Sequence, residues 1–238
     1  MCLMCRRLMA DRRQFFSLWL ASIATATAVG KHPALAANDT TSVTADEAIG
    51  RLKSGNDKYV SAPQVCAVDL SKQREEVVKA QTPWATILTC SDSRVLPDLI
   101  FCGVALGELF IARNAGNIVD TDTLGTIEYG AEHLGIPLIV VLGHEACGAV
   151  TAACSVVEKH ENFPGSIGAM VNAIVPSAKA VYGKPGDFVD NTVRENAKRA
   201  AVKIATRSQI VSHLIHAKKV KILAARYDLD SGRVEFLT

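Results

Sequence analysis

Ala85-Thr86-Ile87-Leu88-Thr89-Cys90-Ser91-Asp92-Ser93-Arg94 is the stretch on which the reading of this chain turns. Its apolar and β-branched residues run without alternation, which predicts a strand covered on both faces, as in parallel α/β sheets. The polar residues then fall at the carboxyl end of that strand, where open α/β sheets bind their ligands. A second run, Leu138-Ile139-Val140-Val141-Leu142, ends in the same way at Gly143-His144-Glu145-Ala146-Cys147-Gly148. If the two strands are parallel neighbours, Cys90, His144 and Cys147 meet at their ends.

Outward from this pair the pattern is α/β: a mostly parallel sheet of about four strands with a fifth, antiparallel edge strand, flanking helices and an extended N-terminal helix. Thr44-Ala45-Asp46-Glu47 has the form of a capping box, and Ile49, Leu52 and Tyr59 give the helix after it an apolar side. A charged helix is expected around Ser71 to Ala80, then the first strand. The chain turns through Pro97 to a second strand, Leu109 to Ala112, which ends in Arg113-Asn114-Ala115-Gly116-Asn117. Leu124, Ile127, Ala131 and Leu134 mark an amphipathic helix that serves as the crossover into the Leu138 strand. A small-residue helix begins at Ala149, and Pro164, Pro176 and Pro185 suggest an irregular stretch from Asn162 to Asp190. Long helical segments are expected from Asp190 to Ile215. A fourth strand, Val220 to Tyr227, turns at Asp230-Ser231-Gly232 into the edge strand Val234 to Leu237.

A chain of 238 residues with 49% hydrophobic residues can bury a sizeable core as one domain. Its formal charge of +2 misleads, because five basic residues and one acidic residue precede Ala37, which leaves 21 basic against 23 acidic residues in the body. A body without basic excess is not built for phosphate backbones, so no nucleic-acid partner is expected. Ahead of Ala37, Arg12-Arg13-Gln14-Phe15-Phe16 precedes an uncharged run to Gly30 and then Ala34-Leu35-Ala36. This resembles a twin-arginine export signal with a small-x-small cleavage site. The alternative is an N-terminal anchor, but the run falls short of the ~20 residues that a spanning helix needs. Residues 1–36 are therefore read as an export signal cleaved after Ala36, and residues 37–238 as a periplasmic domain with no stable membrane span in the mature form.

Two thiols and an imidazole converging at strand ends suit zinc, which takes Cys thiolate and neutral His in tetrahedral sites and keeps one position open when catalytic. Each half alone is a weak signal, since a single Cys ending a strand is most often a small buried hydrophobe. Gly143 and Gly148 bracket the second half and would let the backbone approach closely. Asp92 and Arg94, within the same turn as Cys90, form a carboxylate and guanidinium pair suited to a fork-shaped contact.

At these residues the chain resembles the β-class carbonic anhydrases, through Cys90-Ser91-Asp92-Ser93-Arg94 and Gly143-His144-Glu145-Ala146-Cys147-Gly148. The likeness extends to Gly107-Glu108-Leu109-Phe110, Arg113-Asn114, Ile127-Glu128-Tyr129, Val193-Arg194-Glu195-Asn196 and the closing Tyr227 to Leu237 hairpin. It implies one Zn2+ per subunit held by Cys90, His144 and Cys147. The implied reaction is the reversible hydration of carbon dioxide to bicarbonate and a proton by zinc-held hydroxide. Asp92 would accept a hydrogen bond from the hydroxide, Arg94 would hold Asp92 ionised, and Gln81, Phe110, Tyr129 and Gly148 would face the substrate. A homodimer or dimer of dimers is implied, with the N-terminal helix lying across the partner.

In one branch of that family the Asp leaves its Arg for the zinc and closes the site, with bicarbonate held in a pocket whose Trp lies three residues before the first ligand Cys. Here that position is Ile87, and Gln81, Phe110 and Tyr129 match the plant-like branch, so an open site at neutral pH is expected. No proton shuttle is named by the sequence. His133 is read as structural or interfacial, and His160, His213 and His216 as solvated or locally bonded. Cys66, Cys102 and Cys154 are read as buried or free thiols. Two other functions fit less well. One is hydrolysis of carbonyl sulfide or carbon disulfide by the same site, and the other is a non-catalytic zinc protein. Asp92 and Arg94 speak against the latter, because structural sites fill all four positions with Cys or His.

Overall fold

The computed structural model describes residues 40–66 and 70–237; the export-signal reading of residues 1–36 lies outside the described residues. Strand β1 (Ala85–Thr89) pairs in parallel with β2 (Leu109–Arg113) on one side and with β3 (Leu138–His144) on the other. Beyond β3 lie β4 (Lys221–Tyr227), parallel, and β5 (Val234–Leu237), antiparallel, so the sheet order is β2-β1-β3-β4-β5. Every residue of β1 and β3 is buried, as their unbroken apolar runs require of strands covered on both faces.

Alternate side chains of β1 and β3 enter two different cores. Leu88, Ile139 and Val141 pack with α4 (Thr121–His133), α7 (Phe188–Arg207) and α8 (Gln209–His216). Ile87, Val140 and Leu142 pack with Ala48 and Leu52 of α1 (Ala45–Ser61) and with Phe101. Thr44 and Glu47 close the capping box that opens α1, the Thr hydroxyl accepting from Glu47 N and the Glu carboxylate from Thr44 N. Buried Asn56 fastens α1 to the rest: its Nδ2 donates to the carbonyls of Ile100 and Gly232, and its Oδ1 accepts from Val234 N. The charged helix is shorter than expected, as α2 (Leu70–Glu76), and Pro97 opens a single turn, α3 (Pro97–Ile100).

Two expectations are corrected. The stretch after Asn162 is not irregular: beyond α5 (Gly148–Lys159) it forms the 17-residue helix α6 (Gly165–Val181) with Pro176 inside it. Gly168, Val171, Ile174, Val175, Ala178 and Val181 bury one face of α6, and tertiary packing outweighs the one backbone hydrogen bond that proline removes. Cys66 and Cys102 are not free thiols but a disulfide, with Cα atoms 5.0 Å apart across a sequence separation of 36. Cys154 is free and buried, as expected. Ser208 splits the long C-terminal helix by capping α8, its Oγ accepting from Val211 N. Among the described residues no helix is long and apolar enough to cross a membrane.

Candidate metal centre

The parallel register brings the ends of β1 and β3 level, Thr89 opposite Leu142, so that Cys90 leaves its strand beside Gly143 and His144. Thr89 Oγ1 reinforces this edge with a bond to Leu142 O. Cys90 Sγ and Cys147 Sγ lie 3.9 Å apart, and the ligand atoms of Cys90, His144 and Cys147 all fall within 4.8 Å of one another. All three residues are buried. His144 Nδ1 bonds Glu145 O at 2.8 Å, while its buried Nε2 has no hydrogen-bond partner among the described residues. A fully buried imidazole nitrogen beside two thiols is a set of three donors that could hold a metal ion, and its mix of N and S suits zinc.

The surroundings favour thiolate. Gly116 N donates to Cys90 Sγ at 3.3 Å, and Cys147 stands at the N-cap of α5, where the Val150 and Ala149 backbone favours its charged form without a capping hydrogen bond to the sulfur. The Cys90 thiol is pulled well below its usual range, chiefly because Cys147 donates to it, with the Gly116 amide helping. Cys147 is pushed up, since its proton is shared with Cys90 and burial disfavours a second charge. A cation between the sulfurs removes that conflict. Gly116 has φ +77°, and a Cβ there would lie 2.5 Å from Ile174 Cδ1, so only glycine brings this amide to the sulfur.

Beside the cluster, Asp92 takes Arg94 Nε at 2.9 Å on Oδ1 and Nη2 at 2.7 Å on Oδ2. This bidentate pair, aided by Arg94 N, holds the Asp92 carboxyl well below the usual carboxylate range. Asp92 Oδ2 stands 3.9 Å from His144 Nε2. Arg113, given no role by the sequence, holds the same turn by its backbone: Nε donates to Cys90 O at 3.0 Å and Nη2 to Asp92 O at 2.7 Å. Asn196 Nδ2 bonds Gly116 O at 2.9 Å and so supports the amide that faces Cys90. Neither role was readable in advance, because each contact joins segments far apart in sequence.

Of the expected substrate residues, Gly148 adjoins Cys147, whereas Phe110 and Gln81 lie away from Cys90 in the same chain. Phe110 is paired with Thr86, and at about 3.3 Å per residue it sits roughly 13 Å back along the strands from Cys90. Its ring lies 6.2 Å from that of Tyr129, which lies 5.2 Å from His133. Gln81 is further back still, against Gly107 before β2 begins. Gly148 is exposed next to Cys147, and the close approach expected there is absent, since a Cβ would meet nothing within 4 Å. Gly143 does have that need: a Cβ there would lie 3.0 Å from Val193 Cγ1. His216 is locally bonded, to Ser212 O, as expected.

Residues 85–234 match the family model described as carbonic anhydrase. The chain is 33% identical over 186 residues to a carbonic anhydrase of Mycolicibacterium smegmatis, covering 77% of this chain and 89% of that one. It is also 33% identical over 182 residues to carbonic anhydrase 2 of Mycobacterium tuberculosis, with 76% and 87% covered. Among solved structures, the β-carbonic anhydrase of Coccomyxa in complex with acetazolamide superposes with a TM-score of 0.62 at 25% identity, covering 83% of this chain and 87% of that one. A tetrameric β-carbonic anhydrase of Sordaria macrospora shares the fold, with a TM-score of 0.61 at 23% identity over 76% and 89% of the two chains.

Proposed function

The chain belongs to the β-class carbonic anhydrases, and from that premise we propose how its own residues divide the work of the reaction. It is an enzyme that hydrates carbon dioxide. Cys90, His144 and Cys147 would hold one zinc ion, which when bound lowers the pKa of a coordinated water toward neutrality and so supplies hydroxide. Asp92, whose Oδ2 faces His144, would accept a hydrogen bond from that hydroxide and so orient it toward the substrate. Arg94 keeps that oxygen ionised and in place; a protonated Asp92 would donate where it must accept.

One observation carries this reading: the buried, unpartnered His144 Nε2 stands among two sulfurs with an ionised carboxylate beside it. A storage or structural site has no use for the carboxylate, and would present a fourth Cys or His. The test is metal content together with stopped-flow hydration, carbon dioxide being compared with carbonyl sulfide. One zinc per chain and a faster reaction with carbon dioxide supports the assignment. Metal binding without hydration would reassign the site to storage.

The site is read as open. Both oxygens of Asp92 are committed to Arg94, and Ile87 is fully buried among Leu138 and Val140, where it offers no donor to a second bicarbonate. A dimer or dimer of dimers is supported by the placement of Gln81, Phe110 and Tyr129 away from the Cys90 turn of their own chain. These residues reach a metal centre only if the edge strand β2 of one subunit faces the Cys90 turn of another. Export to the periplasm is supported by Arg12-Arg13 ahead of a weakly apolar run and by the Cys66–Cys102 disulfide, a bond that oxidising compartments preserve. Replacing both arginines with lysine should leave active precursor in the cytoplasm. Processing at the wild-type level would point to the general secretory route instead.

A further inference from the structure

His144 bonds no side chain through Nδ1. The hydrogen bond goes to the backbone carbonyl of Glu145, and everything that fixes Glu145 therefore fixes the ring. Glu145 is held at three points. Its amide donates to Tyr227 O at 2.9 Å, its Oε2 accepts from Leu229 N at 3.0 Å, and its Oε1 lies 3.5 Å from Arg226 Nη2. Arg226, in register with Gly143 on the neighbouring strand, has a side chain only 10% exposed. Its other nitrogens are taken by an acid on α7 and one just past its own strand: Nε by Asp190 Oδ1 at 2.5 Å and Nη1 by Asp228 Oδ2 at 2.6 Å. Asp190 is itself braced by Arg194, which also reaches Glu235. The residue after Glu145, Ala146, stands at φ +50°, a strained position for a residue with a Cβ.

We propose that Arg226 is a positioning residue for His144, acting through Glu145. By gathering the carboxylates of Glu145, Asp190 and Asp228 on one guanidinium, it locks the strained Glu145-Ala146 turn with the Glu145 carbonyl aimed at Nδ1. The ring is then held in the tautomer that carries its proton on Nδ1 and leaves the Nε2 lone pair free for a metal. Arg226 suits this task because a planar fork serves several acceptors at fixed angles, which an ammonium does not. The latch borders an open cavity of about 490 Å³, lined by Glu145, Ala146, Asp190 and Arg226 among others, and not the packed core.

The inference rests on His144 being a metal ligand, which is tested separately by comparing zinc binding in the wild type and in His144→Ala. Zinc affinity is measured by chelator competition in Glu145→Ala, Arg226→Lys and Arg194→Gln, with melting temperature recorded for each. Glu145→Ala keeps the carbonyl but loses both side-chain ties, so the zinc dissociation constant should rise about tenfold, within the range over which partners of a ligating histidine act. In the metal-free protein, the ring nitrogens of His144 should shift by NMR from one tautomer toward a mixture. Arg226→Lys should weaken zinc in the same direction but less. Arg194→Gln breaks the same ion network without touching Glu145, and should lower the melting temperature while zinc affinity stays at the wild-type value. Wild-type zinc affinity and a single tautomer in Glu145→Ala would overturn the proposal. So would an equal loss of affinity in Arg194→Gln, since the network would then be acting through general stability.

Discussion

At the carboxyl ends of β1 and β3, polar groups from distant parts of the chain converge within a few ångströms: two thiols, an imidazole, a carboxylate and two guanidiniums. At the amino ends and along the edge strand β2, the groups of interest are Gln81, Phe110, Tyr129 and the Cys66–Cys102 disulfide, and they touch none of these ligands. The first region is complete in one chain and was assembled by strand register. In the second, Gln81, Phe110 and Tyr129 would need the proposed partner subunit to meet a metal centre. Phe110 and Tyr129 are partly exposed, and their chemistry depends on what covers them. The difference separates substitutions that should destroy the site outright from those whose effect depends on a second subunit or on stability alone.

The largest effects belong to the ligands. Cys90→Ser, Cys147→Ser and His144→Ala each delete one of three donors, and should remove nearly all metal and all measurable hydration. Metal analysis beside stopped-flow rates checks this, and a variant with full zinc and rate would break the assignment.

Next comes Asp92→Asn, which should keep the metal and lose between about 10- and 100-fold in rate, the scale on which partners of a metal site act. The pH profile sharpens the point. Asp92 has a folded pKa below its unfolded value, ordinarily ~3.9, so its pairing with Arg94 is in place above that value and is lost only as pH falls through the lower, folded one. An inflection in rate between pH 6 and 9 should therefore persist in Asp92→Asn. Its disappearance would mean that Asp92 itself titrates there.

A subunit-mixing experiment tests the second region. Gln81→Leu should slow hydration several-fold, by loss of one amide contact. When its chains are mixed with inactive Cys90→Ser chains, each intact metal centre in a hybrid dimer faces an intact Gln81. Activity per intact metal centre should then rise toward the wild-type value. Activity that stays at the Gln81→Leu level at every ratio would place Gln81 beside the metal of its own chain, against the strand register.

How much of this was legible follows from where the signal is stored. Cys90 and His144 could be read because each ends an unbroken apolar run, and a strand announces its own end. Register did the rest, since parallel neighbours of equal depth bring their ends level. Helix α6 was hidden because Pro176 is a local signal, whereas its compensation, a buried face from Gly168 to Val181, comes from packing against α5 and α7. The roles of Arg113, Asn196 and Arg226 were hidden for the same reason: a guanidinium or amide aimed at a remote backbone oxygen leaves no trace in spacing. The disulfide left no sign in the sequence because an odd number of cysteines after Ala37, two of them assigned to the metal, does not say which of the others are near each other.

That disulfide gives the smallest expected effect on the reaction and the clearest separation of the two regions. It ties the segment after α1 to Cys102, twelve residues beyond the ligand Cys90. A loop of this length, between the cases of 15 and 100 residues, contributes about 3 to 4 kcal/mol by restricting the unfolded chain. Cys66→Ser with Cys102→Ser should therefore lower the melting temperature by roughly 10 °C for a chain of this size. The metal site should not notice. Val95, Ile100 and Phe101 between Cys90 and Cys102 are buried to within 1% of fully, Val95 N is bonded to Asp92 O, and Asn56 holds Ile100 O from α1. These contacts anchor the turn at Asp92 whether or not the sulfurs are joined. Zinc content and hydration rate should match the wild type at temperatures where both proteins are folded. A double variant that melts lower and also loses zinc at 25 °C would show that the two ends of the sheet are mechanically coupled, and that the insulation assigned to Val95 to Phe101 does not hold.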